Sequence, residues 1–376
     1  MMLEPRLPNG TRIGGHAIVD QIGRGGFGIT YRATALESGA AVALKEYFPC
    51  DIAHRDASGF VRPLPKAERV YQEGLAAFIA EANILKALPQ QAGLVRVRGA
   101  FEKFGTAYCA MDFIEGEPLS RLVAPMIQRT GFIPEGLLRS FLGPICIALE
   151  TVHSTGLVHR DVKPANVMIA RQDQQPILID FGAARPSGQR GSLAMFTKNY
   201  APPELFPRGQ IRAPQRLDEG PWSDIYSLAV MLYEMASQRL PPNAQDRAAA
   251  IAAGGADPFV PLAALVANRG IRVSYSPALV TAIDAGCTLW PLDRPQAVRQ
   301  FAYMAGVELA RPTSVASRRS ERPAERPSVS VASVSRRGPS RAVNRQPIVM
   351  VILMLLIAAA AVAYGILSRQ PGWIPN

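Results

Sequence analysis

The sequence predicts an α+β fold of two lobes followed by a single transmembrane helix, and three observations lead to this prediction. Short apolar runs alternate with turn residues up to about Leu88, as in a small β-rich lobe. Longer stretches with helical periodicity follow, which indicates a larger, mainly helical lobe. Near the end of the 376-residue chain, residues 348–367 form a run of 20 residues without a charge. The sequence therefore predicts a folded domain with a terminal membrane anchor.

The charge distribution argues against a nucleic-acid partner. Lys and Arg number 41 and Asp and Glu number 30, which gives a formal net charge of +11. Nine arginines and two glutamates between residues 311 and 346 supply +7 of that excess, so the preceding residues are only mildly basic. Nucleic-acid binding would need a basic surface on the folded part.

The four cysteines are far apart and form no CxxC pair, which fits a reduced, cytosolic domain without a zinc site.

Residues 348–367 are predicted to cross a membrane. At a rise of about 1.5 Å per residue they would span roughly 30 Å, the thickness of the hydrocarbon core of a bilayer. A buried core helix is the alternative, but the flanking sequence is rich in Arg and contains Pro. Four arginines lie shortly before the run and one lies after it, so the positive-inside rule keeps the long N-terminal part in the cytoplasm and the tail, residues 368–376, outside.

Residues 311–346 are predicted to form a disordered basic juxtamembrane linker, because they are rich in Ser, Arg, Pro and Val and show no periodicity. The arginines would either lie on anionic lipid head groups or serve solubility and topology, and both interpretations stay open. Small residues at 358–363 would permit a homodimer through helix packing. Such residues are also common in helices that only span a membrane.

A glycine-rich segment lies between two apolar stretches. Gly23, Gly25 and Gly28 have the spacing GxGxxG. The same spacing occurs in dinucleotide-binding proteins, but there a helix follows the glycines, whereas here the β-formers 29–31 continue a strand. This predicts a hairpin lid over phosphates. Seventeen residues after Gly28, an apolar strand ends in Lys45, which is suited to contact nucleotide phosphates by charge, although a solvent-facing lysine is the simpler alternative.

Two motifs downstream carry a resemblance to a known family. His159–Asn166 reads HRDVKPAN, and Ile177–Gly182 reads ILIDFG after a short strand. Together with the glycine-rich segment and Lys45 they resemble the signature set of the bacterial eukaryotic-like (Hanks-type) Ser/Thr protein kinases. The resemblance implies the two-lobed protein kinase fold over residues 12–309, with an N-lobe of about 12–114 and a C-lobe of about 115–309.

The resemblance implies a role for each matching residue. Asp161 would accept or orient the proton of the substrate hydroxyl, and Lys163 would neutralise the migrating phosphoryl group. Asn166 and Asp180 would hold Mg²⁺ or Mn²⁺. Lys45 would contact the α- and β-phosphates of ATP.

The resemblance also implies where the nucleotide binds. Residues 108–116 are similar to the kinase hinge, with Met111 at the gatekeeper position and adenine bonded to the backbone of Asp112 to Ile114. A buried β-strand is an equally good local interpretation, and the two are compatible. The nucleotide-binding residues implied are Ile22, Gly23, Gly25, Gly26, Gly28, Thr30, Ala43, Lys45, Met111, Asp112 and Ile114.

Lys45 needs a carboxylate to orient it. Glu81 is preferred over Glu73, because the apolar residues around Glu81 give its predicted helix a face that turns it toward the cleft. The separation between Lys45 and Glu81 is longer than in most kinases of this class. It begins with the residues KEYFP at 45–49, which resemble a bacterial subgroup with this insertion. The purpose of the insertion does not follow from the sequence.

Residues 180–204 match a kinase activation segment that ends in YAPPE. Thr197 lies seven residues before Glu204, where Ser/Thr kinases have a threonine that contacts the catalytic Asp and Lys, and this favours Ser/Thr over Tyr acceptors. By the same resemblance Asp224 would brace the catalytic loop and Arg294 would pair with Glu204.

Ser187 and Ser192 are candidate phosphorylation sites, and Arg160 could receive such a phosphate. For both serines an unmodified loop is the alternative.

The expected function is ATP-dependent phosphorylation of protein Ser/Thr hydroxyls, with autophosphorylation, in signalling at the cytoplasmic membrane of a bacterium. Two alternatives are a pseudokinase that acts as a nucleotide-binding scaffold and a kinase for small molecules. The pseudokinase is disfavoured because Lys45, Asp161, Asn166 and Asp180 are all present. The small-molecule kinase is disfavoured because Thr197 and the Pro-Pro-Glu ending serve a peptide acceptor.

Overall fold

The N-terminal part of the structure is built on a six-stranded antiparallel sheet with the order β1-β2-β3-β4-β8-β7. Alternation of side chains across the pleat explains the burial of β3, where Ile29, Tyr31 and Ala33 are fully buried and Arg32 is exposed. Its elements are β1 (Arg12–Ile13), β2 (His16–Gly25), β3 (Gly28–Ala35), β4 (Ala41–Tyr47), β5 (Ala53–Arg55), β6 (Val61–Pro63), α1 (Glu68–Ala87), β7 (Val97–Lys103) and β8 (Thr106–Asp112).

Helix α1 packs against β7 and β8 of this sheet. Its buried residues follow a helical repeat and are Tyr71, Leu75, Phe78, Ala82 and Leu85. The helix ends at Ala87, just before a proline at position 89, which disfavours helical geometry in the residue before it. The β5–β6 hairpin lies in the chain between β4 and α1 and occupies the insertion noted in the sequence.

The C-terminal part is mainly helical, as predicted. Its central element is α4, in which 14 of 17 residues are buried, so that helix forms the core around which the others pack. Helices α3, α7 and α8 pack on α4. The elements are β9 (Gly116–Pro118), α2 (Leu119–Thr130), α3 (Glu135–His153), β10 (Leu157–Val158), β11 (Val167–Ala170), β12 (Pro176–Leu178), β13 (Arg185–Pro186), α4 (Pro221–Ser237), α5 (Ala244–Ala252), α6 (Leu262–Ala267), α7 (Pro277–Gly286) and α8 (Val298–Met304).

The structure is a computed structural model, and it describes residues 6–26, 28–130, 132–180, 185–186, 197–207, 209–214, 217–268 and 275–309. Within these ranges, no helix has the length and apolar character needed to cross a bilayer. The predicted linker, transmembrane helix and tail lie outside the described residues. So do Phe181, Gly182, Ser187 and Ser192.

A buried ion pair joins two distant parts of the C-terminal half. Arg294 donates to both carboxylate oxygens of Glu204 at 2.7 and 3.2 Å, and both side chains are inaccessible to solvent. Ser223 also donates to Glu204, at 2.8 Å. The pair connects the end of the predicted activation segment to the chain just before α8.

We expect replacement of Arg294 by Leu to be strongly destabilising, because it leaves the Glu204 carboxylate buried without its cation. Losing one partner of a buried ion pair costs about 3–5 kcal/mol of unfolding free energy. The matched control is Arg69→Ala, because Arg69 is 87% exposed and pairs with Glu73 only at 3.8 Å. Urea unfolding should show a large drop in midpoint for the first variant and little change for the second. Equal drops would contradict the assignment.

Candidate active site

The predicted lid is a hairpin of β2 and β3 in which Gly25 pairs with Gly28. A Cβ atom at Gly28 would lie 2.5 Å from the carbonyl oxygen of Glu46 in the neighbouring strand, so this position requires glycine for packing. At Gly25 and Gly26 an added Cβ would meet no described atom within 4 Å. These two glycines leave open space beside the hairpin tip, which suits the close approach of a phosphate.

Strands β4 and β8 bring three residues of the predicted nucleotide site, Ala43, Lys45 and Met111, to one face of the sheet. Ala43 is paired with Met111, and Lys45 with Cys109, in the β4–β8 register. Residues two apart on a strand point to the same side, so Ala43 and Lys45 share a face. Ile22, on the lid strand β2, keeps 47% of its surface exposed. Ala43 and Met111 thus place apolar side chains on the same face of the sheet as Lys45.

The hinge segment follows β8 directly. The backbone N–H of Asp112 donates to the carbonyl oxygen of Arg96 at 3.0 Å, and the Asp112 carboxylate accepts from Arg98 at 2.6 Å. The Arg32 guanidinium lies over the Phe113 ring at 5.1 Å. These contacts fix the chain between the two halves of the domain, where the adenine was predicted to bind.

Lys45 contacts the carboxylate of Asp180 through an ion pair and hydrogen bond. Burial alone would lower the pKa of Lys45, but the negative charges of Asp180 and Glu81 outweigh it, and the pKa is raised. Lys45 is therefore cationic at neutral pH. The structure thus brings together charged residues from β4, from α1 and from the segment directly after β12, which are far apart in sequence.

The two candidate partners of Lys45 on α1 differ in position. Glu81 is partly buried and its charge acts on both Lys45 and Cys109. Glu73 is 53% exposed and forms an ion pair with Arg69 on the solvent side of the helix. The geometry thus favours Glu81 over Glu73, in line with the sequence-based choice.

The Asp224 carboxylate, in α4, fixes the loop after β10 by hydrogen bonds to its backbone. Asp224 is fully buried and accepts from the backbone N–H groups of His159 at 2.8 Å and Arg160 at 2.7 Å. His153, at the end of α3, contacts the same carboxylate through Nε2 at 2.7 Å. The sequence analysis singled out Asp224 but missed His153. The only sequence signal for His153 is its place at the end of a helix, shortly before the HRD motif.

Acid is expected to destabilise the folded state through Asp224 and through the neighbouring His159. Burial alone would raise the pKa of Asp224, but the bonds from His153 and the backbone keep the pKa below the ordinary value of 3.8. Burial also lowers the pKa of His159 below 6.5. In both cases the unfolded chain binds a proton more readily than the folded one, so stability is lost as the pH falls, first below about 6.5 and then below about 3.8.

Asp161 lies at the centre of a hydrogen-bonded cluster. Its Oδ2 accepts from Lys163 Nζ at 2.6 Å and from Asn166 Nδ2 at 2.8 Å. Its Oδ1 accepts from the hydroxyl of Thr197 at 2.7 Å and from the Thr197 backbone N–H at 3.2 Å. Lys163 also donates to the Thr197 hydroxyl at 2.6 Å. Lys163 and Asn166 of the HRDVKPAN motif and Thr197 of the predicted activation segment therefore meet at the Asp161 carboxylate.

Asn166 and Asp180 fit a magnesium site by the chemistry of their donors. Mg²⁺ prefers hard oxygen ligands and is commonly held by one or two protein groups together with substrate phosphates. A backbone bond from Ile179 N to Asn166 O, at 2.9 Å, ties the two loops that carry these residues. Asp180 adopts a left-handed backbone conformation with φ of 63°, uncommon for a residue other than glycine, which suggests a functional constraint at this position.

Arg160 forms an ion pair with Glu219, and both side chains are buried, at 8% and 5% exposure. A phosphate on Ser187 or Ser192 would have to compete with Glu219 for this arginine. Sequence analysis did not single out Glu219. Phosphate binding by Arg160 therefore stays a prediction.

Comparison with known proteins agrees with this geometry. The family model described as "Protein kinase domain" matches residues 16–263, more than half of the chain. This chain belongs to the protein kinase family. Among solved structures, the one described as "PpkA-294 apo form" has a TM-score of 0.65 and 30% identity, covering 80% of this chain and 100% of its own. The kinase domain of PknI from Mycobacterium tuberculosis, at 21% identity and a TM-score of 0.52, covers 80% of this chain and 99% of its own and shows the fold alone.

Curated kinases from bacteria are also similar. The serine/threonine-protein kinase Pkn1 of Myxococcus xanthus is 27% identical over 322 residues, covering 82% of this chain and 40% of Pkn1. The serine/threonine-protein kinase PknA of Nostoc sp. is 24% identical over 312 residues, covering 79% of this chain and 48% of PknA. The chain spans less than half the length of these two kinases. The predicted two-lobed kinase fold is confirmed.

Substitution of Thr197 tests the role of the hydrogen-bonded cluster at Asp161. We expect Thr197→Val to lower kcat about tenfold, since it removes a hydroxyl that bonds two charged groups, each such bond being worth about 1.5 kcal/mol or more. Thr197→Ser keeps the hydroxyl and should stay near the wild-type rate. Steady-state phosphorylation assays measure both. A serine variant as slow as the valine variant would show that the methyl group matters and not the hydroxyl.

Proposed function

We propose that this protein is an ATP-dependent Ser/Thr protein kinase that transfers the γ-phosphoryl group of ATP to hydroxyl groups of proteins. The observation that carries the proposal is the cluster at Asp161, in which Lys163, Asn166 and Thr197 all donate to one carboxylate. The acceptor oxygen would form a bond to the γ-phosphorus while the bond to the β–γ bridging oxygen breaks and ADP leaves. Positioning and charge neutralisation supply most of the catalysis.

Each group of the site then has one task. Asp161 accepts the proton of the acceptor hydroxyl, and Lys163 neutralises charge on the migrating phosphoryl group. Lys45 holds the α- and β-phosphates once ATP replaces part of its contact with Asp180. A divalent cation held by Asn166 and Asp180 supplies further charge neutralisation when bound. The open glycines of the lid leave room for the phosphates above these groups.

A protein acceptor is favoured over a small molecule by an open cleft of about 440 Å³ beside the catalytic loop. It is bordered by α2, by Lys163 and Pro164, and by Tyr200 and Glu234. Tyr200 donates to Glu234 at 2.5 Å, which closes the far wall. An extended peptide would fit along this cleft with its hydroxyl next to Asp161.

The direct test is transfer of label from γ-labelled ATP by the full-length protein to a generic basic protein. We expect incorporation that requires Mg²⁺ or Mn²⁺ and stops on chelation with EDTA. Incorporation into the kinase itself would support autophosphorylation. Binding of ATP without any transfer, over a range of acceptors, would favour the nucleotide-binding scaffold.

We further propose that residues 348–367 anchor the domain in the cytoplasmic membrane of a bacterium, that 311–346 form the linker and 368–376 the external tail, and that the chain belongs to the KEYFP subgroup. The uncharged run and the arginines before it support the anchor. The test is membrane fractionation with an alkaline carbonate wash, comparing the full chain with a variant ending at residue 347. The full chain should stay in the pellet and the truncated one should not. Release of both would contradict the anchor.

A further inference from the structure

Helix α1 has a glycine in its interior, which is unfavourable for helix formation. Gly74 is the seventh residue of Glu68–Ala87 and lies away from either end. A Cβ atom at this position would lie 2.1 Å from the hydroxyl oxygen of Tyr47 and 2.9 Å from its Cζ. The glycine therefore permits a contact between α1 and strand β4 that no other residue would allow.

Tyr47 cannot simply move aside. It is 2% exposed, and its ring packs against the rings of Tyr71 and Phe78 at centroid distances of 5.3 and 5.8 Å. Its carbonyl oxygen accepts from the hydroxyl of Thr106 at 2.5 Å. The side chain that faces Gly74 is thus held by the helix on one side and by the sheet on the other.

The KEYFP insertion fixes β4 from its opposite face. Glu46 is fully buried and accepts from three donors, Tyr31 at 2.9 Å, Tyr108 at 2.5 Å and Arg55 at 2.6 Å. Arg55 belongs to β5 of the insertion. Strand β4 is therefore anchored by a buried network on one face, while Tyr47 meets α1 on the other.

The geometry of strand and helix relates this contact to the active site. Lys45 and Tyr47 are two residues apart and share one face of β4. Gly74 and Glu81 are seven residues apart, or about two turns, and share one face of α1. Lys45 thus lies next to Tyr47 on one face of β4, Glu81 lies two turns after Gly74 on one face of α1, and the negative charge of Glu81 acts on Lys45.

We propose that the Tyr47–Gly74 contact, braced by Glu46 and Arg55, sets the separation of β4 and α1 and thereby positions Glu81 beside Lys45. Tyr47 and Gly74 are positioning residues that act through Glu81 and do not touch the substrate. The inference rests on the proposed function for its catalytic consequence. It gives the insertion a purpose that the sequence did not reveal.

The test uses the full-length protein and a matched pair of glycine substitutions. Gly74→Ala should lower kcat/KM about tenfold or more, because misplacing a catalytic group by about 1 Å costs up to roughly 10²-fold. Gly136→Ala is the control, since an added Cβ in that helical position meets no described atom within 4 Å. Tyr47→Phe combined with Gly74→Ala removes the closest clash, that with the hydroxyl oxygen, but leaves the ring carbon Cζ at 2.9 Å, so it should restore only part of the activity.

A double-mutant cycle with Glu81→Gln distinguishes positioning from general destabilisation. If Gly74→Ala acts through Glu81, it should have little further effect once Glu81 is Gln. Affinity for ATP with Mg²⁺, measured by calorimetry, should follow the same non-additive pattern and does not depend on phosphoryl transfer. That pattern without any transfer would support the positioning role and refute the proposed function. Gly74→Ala matching Gly136→Ala, or an undiminished effect in the Glu81→Gln background, would overturn the inference.

Discussion

Replacing Asp161 by Asn is expected to abolish phosphoryl transfer while ATP binding survives. Asn has the same shape as Asp, but its side chain cannot accept a proton. Its amide also replaces one acceptor oxygen with an NH₂ donor, whereas Lys163 and Asn166 both donate to the Asp161 carboxylate. Loss of a general base costs about 10²–10⁴-fold in kcat. Steady-state assays should therefore show that loss, while calorimetric ATP affinity should stay within about threefold, since the role proposed for Asp161 is at the acceptor hydroxyl and not at the nucleotide.

The same chemical change at Asp173 provides the control. Asp173 is exposed in the turn between β11 and β12, where its carboxylate accepts from the backbone N–H of Gln175 at 3.1 Å. Asp173→Asn should leave kcat unchanged. If Asp161→Asn instead loses ATP binding and keeps its turnover at saturation, the role assigned to Asp161 is wrong.

Replacing Lys45 by Met is expected to weaken ATP binding and turnover together. Met fills a similar volume but leaves the Asp180 and Glu81 carboxylates without the cation whose pKa they raise. The phosphates would then meet two negative charges and no positive one. We expect at least about a tenfold loss in ATP affinity, as for removal of a charge-assisted contact, and a larger loss in kcat/KM.

Lys66→Met is the matched control for this prediction, because Lys66 is exposed and belongs to the loop before α1. It should bind ATP and turn over as the wild type does. Normal turnover by Lys45→Met, with a loss in Lys66→Met, would assign the phosphate contact to Lys66.

The sequence suggested site residues where they belong to contiguous motifs, and their roles stay predictions. The glycine spacing, the HRDVKPAN segment and the ILIDFG segment are contiguous, and their resemblance to the signature set of a known family allowed Asp161, Asn166 and Asp180 to be named before the fold was known. Choosing Glu81 over Glu73 required only the helical period, because Glu73 falls on the exposed side of α1.

Other features depend on distant contacts and had no local signal. The burial of Glu46 by Tyr31, Tyr108 and Arg55 joins three strands and the insertion, and no pattern of apolar residues encodes it. The contact of Lys45 with Asp180 and that of Arg160 with Glu219 likewise join segments brought together only by the fold. These are also the contacts that position the predicted catalytic residues.

The measurement that tests the central claim most directly is phosphoamino-acid analysis of a basic protein labelled by the full-length chain with γ-labelled ATP and Mg²⁺, beside the Asp161→Asn variant. The proposed function predicts phosphoserine or phosphothreonine from the wild type and none from the variant. Label on tyrosine, or equal label from both proteins, would contradict a Ser/Thr kinase that works through Asp161.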